Sequence, residues 1–432
     1  METQPKGQAT AGTVVRVVSG NFLEMYDFMV YGFYASAIAK AMFPGNNEFV
    51  SLMLSLATFG MGFLMRPLGA IVLGSYMDRH GRRAGLLLTL ALMSIGVLLI
   101  AVTPTYASIG VLAPTLVIFG RLLQGFSAGA ESGGVSVYLS EIAPPGRRGF
   151  FVSWQSASQQ LSVLLAAVLG VALRFTLTDE QMNTWGWRIP FLLGCSIVPV
   201  LFWIRRSVRE SHAFEMRKRQ TVGEIFSSLA QSWRTIFWAM MLVSLTSIMF
   251  YLITAYTPTF GRVELGLKPI DTFYVTTCVA LVTFTMIPVM AAVSDRIGRR
   301  PLLIGSSLTI ALVSYPAMTW LVAAPSFTSL LLVEMGFAFL YATYQAALVV
   351  TLTEIIPANV RGTGFSLAYS LSQAVFGGFT PAICTALIHV TENKAMPGVW
   401  LVIGALFALL STLVIVRGNN RHVESLSTGA VS

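Results

Sequence analysis

The sequence predicts an all-α integral membrane protein with twelve transmembrane helices in two pseudo-symmetric six-helix halves. Its 432 residues are 55% hydrophobic and only 11% charged, whereas soluble domains carry roughly 25% charged residues. A charged turn at Met77–Arg83 recurs at Ser294–Arg300, and the segment Leu139–Pro144 recurs at Leu352–Pro357. Matching loops at nearly one spacing indicate a duplicated bundle, and duplicated membrane bundles usually transport a substrate.

Twelve apolar segments define the predicted helices, because each is near the ~20 residues needed to cross a bilayer. They lie at about 14–38, 50–74, 85–103, 110–140, 149–174, 187–204, 235–260, 271–292, 302–322, 328–355, 362–389 and 398–416. These segments divide the chain into an N-terminal half at 1–204 and a C-terminal half with a short tail at 235–432. The polar segment 205–234 is too short for a separate domain and is predicted to be a cytoplasmic linker.

The distribution of charge predicts the orientation in the membrane. The chain has 28 Lys and Arg against 19 Asp and Glu, a net charge of +9. With the N-terminus inside, most basic residues fall in cytoplasmic segments, so the positive-inside rule places both termini in the cytoplasm. Membrane topology thus explains the basic excess without nucleic acid as a partner. Three cysteines and four histidines show no metal-ligand spacing, and no cofactor is predicted.

Ionisable side chains inside the predicted spans are candidates for function, because burying a charge in a bilayer is expensive. One amide and six charged residues stand in such positions: Asn21, Glu24 and Asp27 in the first span, Arg66 in the second, Arg121 and Glu131 in the fourth, and Glu334 in the tenth. The spacing of the first three places them on one helix face. The six residues of the N-terminal half are expected to face a central cavity or each other.

Polar side chains on several spans are predicted to converge on a substrate near the middle of the bilayer. The fifth span is too polar between Trp154 and Gln160 for a lipid-facing surface. Any single hydroxyl or amide has the alternative role of a hydrogen bond between helices. The predicted substrate-binding residues are Asn21, Arg66, Arg121, Gln155, Ser158, Gln159, Tyr251, Tyr344 and Gln345. Arg66 has Glu24 as an alternative partner.

The repeated charged turns are predicted to close a cytoplasmic gate. Acids and arginines that meet across the two halves would hold the gate shut in one conformation and separate in the other. The alternative is that these residues only anchor the topology. The predicted gating residues are Asp78, Arg82, Glu141, Arg148, Asp295, Arg299, Glu354 and Arg361, with Glu141 paired to Arg148 and Glu354 to Arg361.

The first charged turn, Gly74-x-x-x-Asp78-Arg79-x-Gly81-Arg82-Arg83, resembles the signature loop of the major facilitator superfamily. The second copy departs from it at Ala291, where the pattern prefers glycine. The resemblance implies the fold of that superfamily, which agrees with the twelve spans and the duplication. It also implies a protein that works as a monomer.

Tyr26-Asp27 and Gly120-Arg121 resemble the acid and the arginine of proton-coupled sugar porters in this superfamily. The resemblance implies that Asp27 binds the coupled proton and that Arg121 lies beside it and controls its protonation. An anionic substrate that drew the guanidinium away would favour protonation of the acid. Glu24 and Glu131 are further proton-coupling candidates, with Glu131 an alternative partner for Arg66. A static ion pair between two helices is the alternative for Asp27 and Arg121.

The segments Gly20–Asp27, Met65–Pro67 and Trp187–Phe191 resemble the metabolite:proton symporter family. More narrowly, Ser153–Gln160 resembles the bacterial citrate and tricarballylate proton symporters, which implies uptake of a tricarboxylate with protons across a bacterial inner membrane. The sequence departs from that subgroup at 344–345 and 372–373. A dicarboxylate, an osmolyte or a sugar acid is therefore the alternative substrate.

Other function classes lack the residues that they need. The sequence contains no Gly-x-x-x-x-Gly-Lys loop for an ATP-driven pump and no visible nucleophile–base pair or metal cluster for a membrane enzyme. An ion gradient is then the expected energy source, with protons favoured and sodium as the alternative. The predicted partners are a small organic acid, protons and the lipid bilayer.

Overall fold

The computed structural model describes residues 11–45, 47–80, 82–129, 132–206, 227, 230–356 and 361–428. Within these residues the chain forms twelve helical rods. The first six are α1 (Ala11–Phe33, continued as Ala35–Met42), α2 (Glu48–Leu64 and Arg66–His80), α3 (Arg82–Val102), α4 (Leu112–Ala128 and Ser132–Ile142), α5 (Arg148–Thr176) and α6 (Arg188–Arg206).

The second six rods begin after the predicted linker, most of which lies outside the described residues. They are α7 (Trp233–Tyr251, Leu252–Tyr256, Thr257–Thr259 and Phe260–Glu264), α8 (Pro269–Ile297), α9 (Arg299–Ala323), α10 (Phe327–Ile355), α11 (Arg361–Ser372, Gln373–Gly377 and Thr380–Thr391) and α12 (Met396–Thr428). Each rod matches one predicted span, so the all-α fold is confirmed. The division at 1–204, 205–234 and 235–432 stays a prediction.

Length and composition suit these helices to a membrane. Eight of the described helices are long and apolar enough to cross one, and Leu87–Val102, Leu112–Ala128 and Arg188–Val200 are shorter apolar helices. Two predicted ends differ from the structure. The first helix breaks at Tyr34, and the last continues to Thr428, well past its apolar part. Hydropathy locates the apolar stretch, whereas a helix can run on beyond the bilayer.

Helices α7 and α11 depart from regular α-helix in the middle of the bundle. In α7, π-helical turns at Leu252–Tyr256 and Phe260–Glu264 flank the short segment Thr257–Thr259. In α11 the π-helical turn is Gln373–Gly377. Pro258 lacks the N–H that a regular helix would use, and π-helical turns are frequent at functional sites.

The end of the bundle that carries Arg148, Asp295 and Arg299 is here named the basic face. At this face Asp295 of α8 accepts hydrogen bonds from the backbone N–H groups of Gly149 (2.9 Å) and Phe150 (3.0 Å). These belong to the first turn of α5, whose N–H groups have no partner within the helix. The two halves are thus joined at the basic face by a carboxylate on a helix N-terminus.

The end that carries Phe49 and His389 is named the opposite face. The Phe49 ring of α2 stacks on the His389 ring of α11, with centroids 3.8 Å apart. Deeper in the same interface, Gly60 of α2 faces Phe379 of α11, and a Cβ on Gly60 would lie 2.5 Å from that ring. The halves therefore touch at both faces, and the polar residues between them are enclosed.

Candidate functional site

A buried ion pair joins α1 to α2. The Glu24 carboxylate lies 3.1 Å from the Arg66 guanidinium, and each side chain is 3% exposed. The guanidinium also lies over the rings of Phe28 (4.6 Å) and Phe63 (4.5 Å). The ion pair and the contacts with aromatic faces together offset part of the free-energy cost of burying the arginine charge. The sequence offered two acids, Glu24 and Glu131, as partners for Arg66. The structure pairs Arg66 with Glu24, and Glu131 lies outside the described residues.

Arg121 of α4 is fully buried and held by neutral groups. It donates to Gln124 Oε1 (2.7 Å) and to the Phe59 carbonyl (3.1 Å). Its guanidinium lies over the rings of Phe28 (4.4 Å) and Tyr31 (4.8 Å). In the described part of the chain no carboxylate oxygen lies within 4.0 Å of it. Its charge is therefore available to an anion.

Asp27 of α1 forms no ion pair with Arg121, because in the described part of the chain no oxygen of Asp27 lies within 4.0 Å of an Arg121 nitrogen. The direct contact expected of the two is therefore absent from this structure, and their role in coupling stays a prediction. Asp27 is 1% exposed, and its Oδ1 has no hydrogen-bond partner within the described ranges. This oxygen faces α6, since a Cβ on Gly194 would lie 2.7 Å from it. The neighbouring Tyr26 donates to the Pro190 carbonyl of α6 (3.0 Å). Asp27 thus packs against α6, while Arg121 turns toward α2.

An amide network ties α1 to α5. Asn21 donates to the Gln155 carbonyl (3.1 Å) and to Ser158 Oγ (3.4 Å), and Gln159 donates to Asn21 Oδ1 (3.2 Å). All four residues are buried. Four of the predicted substrate-binding residues are therefore brought together, at a site where every amide has a protein partner in this conformation.

The same helix reaches across to the second half. Gln345 of α10 donates to Ser156 Oγ (2.9 Å), which donates in turn to Gln155 Oε1 (3.0 Å). One turn along, Thr283 of α8 donates to Gln160 Oε1 (2.9 Å). Sequence reasoning did not select Gln160 or Thr283 as site residues. The spacing of Ser156 and Gln160 by four residues was the available signal, because it places both on one face.

The two predicted tyrosines have different surroundings. Tyr251 of α7 is fully buried, and its hydroxyl has no hydrogen-bond partner. Its ring packs on Phe59 (5.8 Å) and Phe63 (5.1 Å), the rings that contact the two buried arginines. Tyr344 instead donates to the Leu242 carbonyl (2.6 Å). It ties α10 to α7 within one half, and its place among the substrate-binding residues stays a prediction.

These residues form a closed polar centre between two helix bundles, and comparison with known sequences decides the family. The profile described as Major Facilitator Superfamily matches residues 17–381. The chain belongs to the major facilitator superfamily. A citrate-proton symporter from Salmonella typhi is 53% identical over 418 residues, with 96% of each chain covered. A citrate-proton symporter from Klebsiella pneumoniae is 51% identical over 412 residues, which are 95% of this chain and 93% of that one.

The solved structures agree about the fold. A crystal structure of a D-xylose-proton symporter superposes with a TM-score of 0.76 at 20% identity, covering 93% of this chain and 96% of the other. Identity at that level bears on the fold alone. As a member of the major facilitator superfamily the protein is a multi-pass membrane transporter and not an enzyme, as the sequence predicted.

The superfamily's charged turns lie at the basic face, and the described part of this network differs from the expected pairs. Arg299 lies 2.8 Å from Asp295 and 3.7 Å from Glu354. Glu141 and Arg148 were expected to pair, but both are exposed and no ion pair forms between them. The backbone N–H groups in the first turn of α5 instead donate hydrogen bonds to Asp295. The side chains of Asp78, Arg82 and Arg361 lie outside the described residues.

Metal ligands are a further possibility for acids and histidines in a polar centre. Within the described ranges, no three His, Cys, Asp or Glu side chains come together as a metal site. The centre offers guanidinium, amide and hydroxyl donors with buried carboxylates beside them. Such a set can bind an anion and exchange protons.

Proposed function

We propose that the protein imports a tricarboxylate, citrate or tricarballylate, in symport with protons by alternating access. The observation that carries this proposal is the fully buried guanidinium of Arg121, which among the described residues is held by neutral groups alone. A charge in that position is costly and is retained where it binds a substrate. The two relatives at 53% and 51% identity, both named citrate-proton symporters, support citrate as that substrate.

The donors at the centre suit carboxylate oxygens. Phe28 lies between the guanidinium groups of Arg66 and Arg121, at 4.6 Å and 4.4 Å from its centroid. Gln124 Nε2, Arg121 Nε and the Tyr251 hydroxyl are buried donors that have no acceptor in the part of the chain that the structure describes. A carboxylate accepts several hydrogen bonds and pairs with arginine in a planar, two-point geometry. A molecule with three carboxylates can engage these donors together.

Protons would balance the charge of the substrate. When a carboxylate of the substrate draws Arg66 away, Glu24 loses the stabilisation that this ion pair gives to its charged form, and its affinity for a proton rises. Asp27 is already without an ion pair among the described residues and can carry a proton through the closed conformation. Substrate binding and protonation are then linked by charge, without direct contact between Asp27 and Arg121.

Alternating access would follow from rocking of the two halves about the centre. Separation of Asp295 from the first turn of α5 opens the basic face, and separation of Phe49 from His389 opens the opposite face. The distribution of Lys and Arg supports placing the basic face and both termini in the bacterial cytoplasm. We expect one chain to suffice as the transporting unit.

Uptake into proteoliposomes tests this function. Purified protein is reconstituted, and accumulation of radiolabelled citrate and tricarballylate is followed with and without an acid-outside pH gradient. Accumulation that depends on the gradient is expected for at least one acid. Equal uptake without the gradient contradicts proton coupling, and no uptake of either acid contradicts the substrate. A matched sodium gradient at constant pH serves as the control for the coupling ion.

A further inference from the structure

A third buried acid, beside Glu24 and Asp27, lies in the C-terminal half and outside the centre described above. Glu334 of α10 is 5% exposed. Its Oε1 accepts a hydrogen bond from Thr257 Oγ1 of α7 (3.0 Å), and its Oε2 has no hydrogen-bond partner among the described residues. Across the described chain no Lys, Arg or His nitrogen lies within 4.0 Å of this carboxylate. Glu334 therefore differs from Glu24, which has Arg66.

Charged and titratable groups on the neighbouring elements do not compensate Glu334. Helix α10 packs against α5, α7, α8 and α9, and less extensively against α4 and α11. Several titratable groups on these helices lie level with Glu334 or nearer the opposite face. They are Arg174 of α5, Tyr256, Arg262 and Glu264 of α7, and Asp271 and Tyr274 of α8, and Tyr341 lies deeper on α10 itself. Arg174 pairs with Asp179, and Tyr256 shares a hydrogen bond with Thr385. None of these groups forms an ion pair or a hydrogen bond with Glu334 in the described part of the chain.

The surroundings of Glu334 favour the neutral form of its carboxyl group in the closed conformation. One hydroxyl donor does not offset the cost of burying a full negative charge, which is several kcal/mol. By helical rise, Glu334 lies about 10 Å along α10 from Phe327, well inside the membrane-spanning part. A neutral carboxyl group can still accept the Thr257 hydrogen bond through Oε1.

The partner of Glu334 sits where α7 is irregular. Thr257 begins the short segment between the two π-helical turns and precedes Pro258. Its hydroxyl is also 3.1 Å from the Leu252 carbonyl. One hydroxyl proton can serve only one acceptor well, so a small shift of α7 moves the donor from Glu334 to its own helix. Irregular backbone of this kind is where a helix yields most readily.

Helix α7 also lies at the interface between the two halves, where it packs against α1. Ala255 faces Gly32 of α1, close enough that a Cβ on Gly32 would lie 2.8 Å from the Ala255 Cβ. A pocket of ≈ 580 Å³ at the opposite face is lined by Arg262, Glu264 and His389. Arg262 follows Thr257 by five residues, about 7 Å along the helix. Opening of this interface would bring water from the pocket toward Glu334.

From these contacts we propose that Glu334 is a proton-binding site of the C-terminal half, protonated while the halves are closed and exchanging its proton when α7 moves. This inference rests on the proposed symport and adds a proton to it. A tricarboxylate brings up to three negative charges. Protons bound to acids in both halves would then reduce the total negative charge of the loaded transporter. The ligand of the site is the proton itself.

Infrared difference spectroscopy of the purified protein tests the protonation directly and does not depend on transport. Neutral buried carboxyl groups absorb in a region that carboxylates leave empty. We expect Glu334→Gln to remove one such band at neutral pH, and Glu24→Gln to leave that band in place. Thr257→Val should shift the band, because the carboxyl group loses its donor. A Glu334→Gln spectrum identical to the wild type would overturn the proposal.

The number of protons per substrate tests the role in coupling. Glutamine preserves the acceptor for Thr257, so Glu334→Gln should fold, and its thermal unfolding should match the wild type. In proteoliposomes we expect the reversal potential of citrate uptake to report one proton fewer per citrate, with citrate exchange retained. An unchanged ratio overturns the coupling role even if the band is lost. Failure of the wild type to accumulate citrate would contradict the symport alone, because the infrared result still decides whether Glu334 is protonated.

Discussion

The Glu24 carboxylate of α1 lies 3.1 Å from the Arg66 guanidinium of α2, and both side chains are 3% exposed. The pair fixes two helices of the N-terminal half and places a cation within reach of the centre. The guanidinium of Arg121 is the other buried cation, and its hydrogen-bond partners among the described residues are neutral. One arginine is thus balanced in the closed conformation, and the other is available to an anion.

Removal of one partner of this ion pair should destabilise the protein. Glu24→Gln leaves Arg66 buried without its acid, and the loss of one member of a buried pair costs about 3–5 kcal/mol. We expect a clear fall in the thermal unfolding temperature of the protein in detergent. The double variant Glu24→Gln/Arg66→Met should recover part of the loss. Wild-type stability of the single variant would show that the pair contributes little.

Arg121→Lys should weaken substrate binding by at least about tenfold, or about 1.4 kcal/mol. Lysine keeps the charge but cannot donate to Gln124 and Phe59 while presenting a planar fork to a carboxylate. The measurement is the Michaelis constant for citrate uptake. Arg174→Lys is the matched control, because Arg174 pairs with Asp179 away from the centre. Equal constants for both variants would exclude a role for guanidinium geometry.

Asp27→Asn should abolish accumulation against a gradient while citrate exchange continues. The variant keeps the size of the side chain, which is packed against α6, but cannot take up or release a proton. Counterflow and gradient-driven uptake are measured on the same proteoliposomes. If Asp27→Asn accumulated citrate as the wild type does, the coupled proton would have to bind elsewhere.

Gly149→Ala should force the halves apart at the basic face. A Cβ there would lie 2.8 Å from Asp295 Oδ1 and 2.9 Å from the Ala291 carbonyl. Spin labels at Arg147→Cys and Arg296→Cys, both exposed positions, report the distance between α5 and α8 after the native cysteines are replaced. We expect a longer distance in the variant.

Gly305→Ala provides the control for this experiment, because a Cβ on Gly305 of α9 has nothing within 4 Å. It should leave the distance distribution unchanged. The same distribution in wild type and Gly149→Ala would mean that the contact between Asp295 and α5 does not hold the basic face closed.

The sequence determined the helices and the residues with the strongest claim to function. Apolar stretches of bilayer length forced twelve helices, because backbone polar groups in a membrane must be satisfied within the helix. The rarity of charge inside such stretches is enough to single out Glu24, Asp27, Arg66 and Arg121. Helical spacing also placed Asn21 on the same face as Glu24, and the structure shows it in contact with α5.

Only the tertiary structure decided which of these groups meet. Spacing along one helix says which face a side chain occupies, but the rotation of each helix against its neighbours follows from packing over the whole bundle. That packing pairs Glu24 with Arg66, turns Asp27 toward α6, and gives Asp295 to the first turn of α5. It also places Glu334 beside Thr257, with no cation within 4.0 Å in the described part of the chain, a relationship between distant residues that no local pattern encodes.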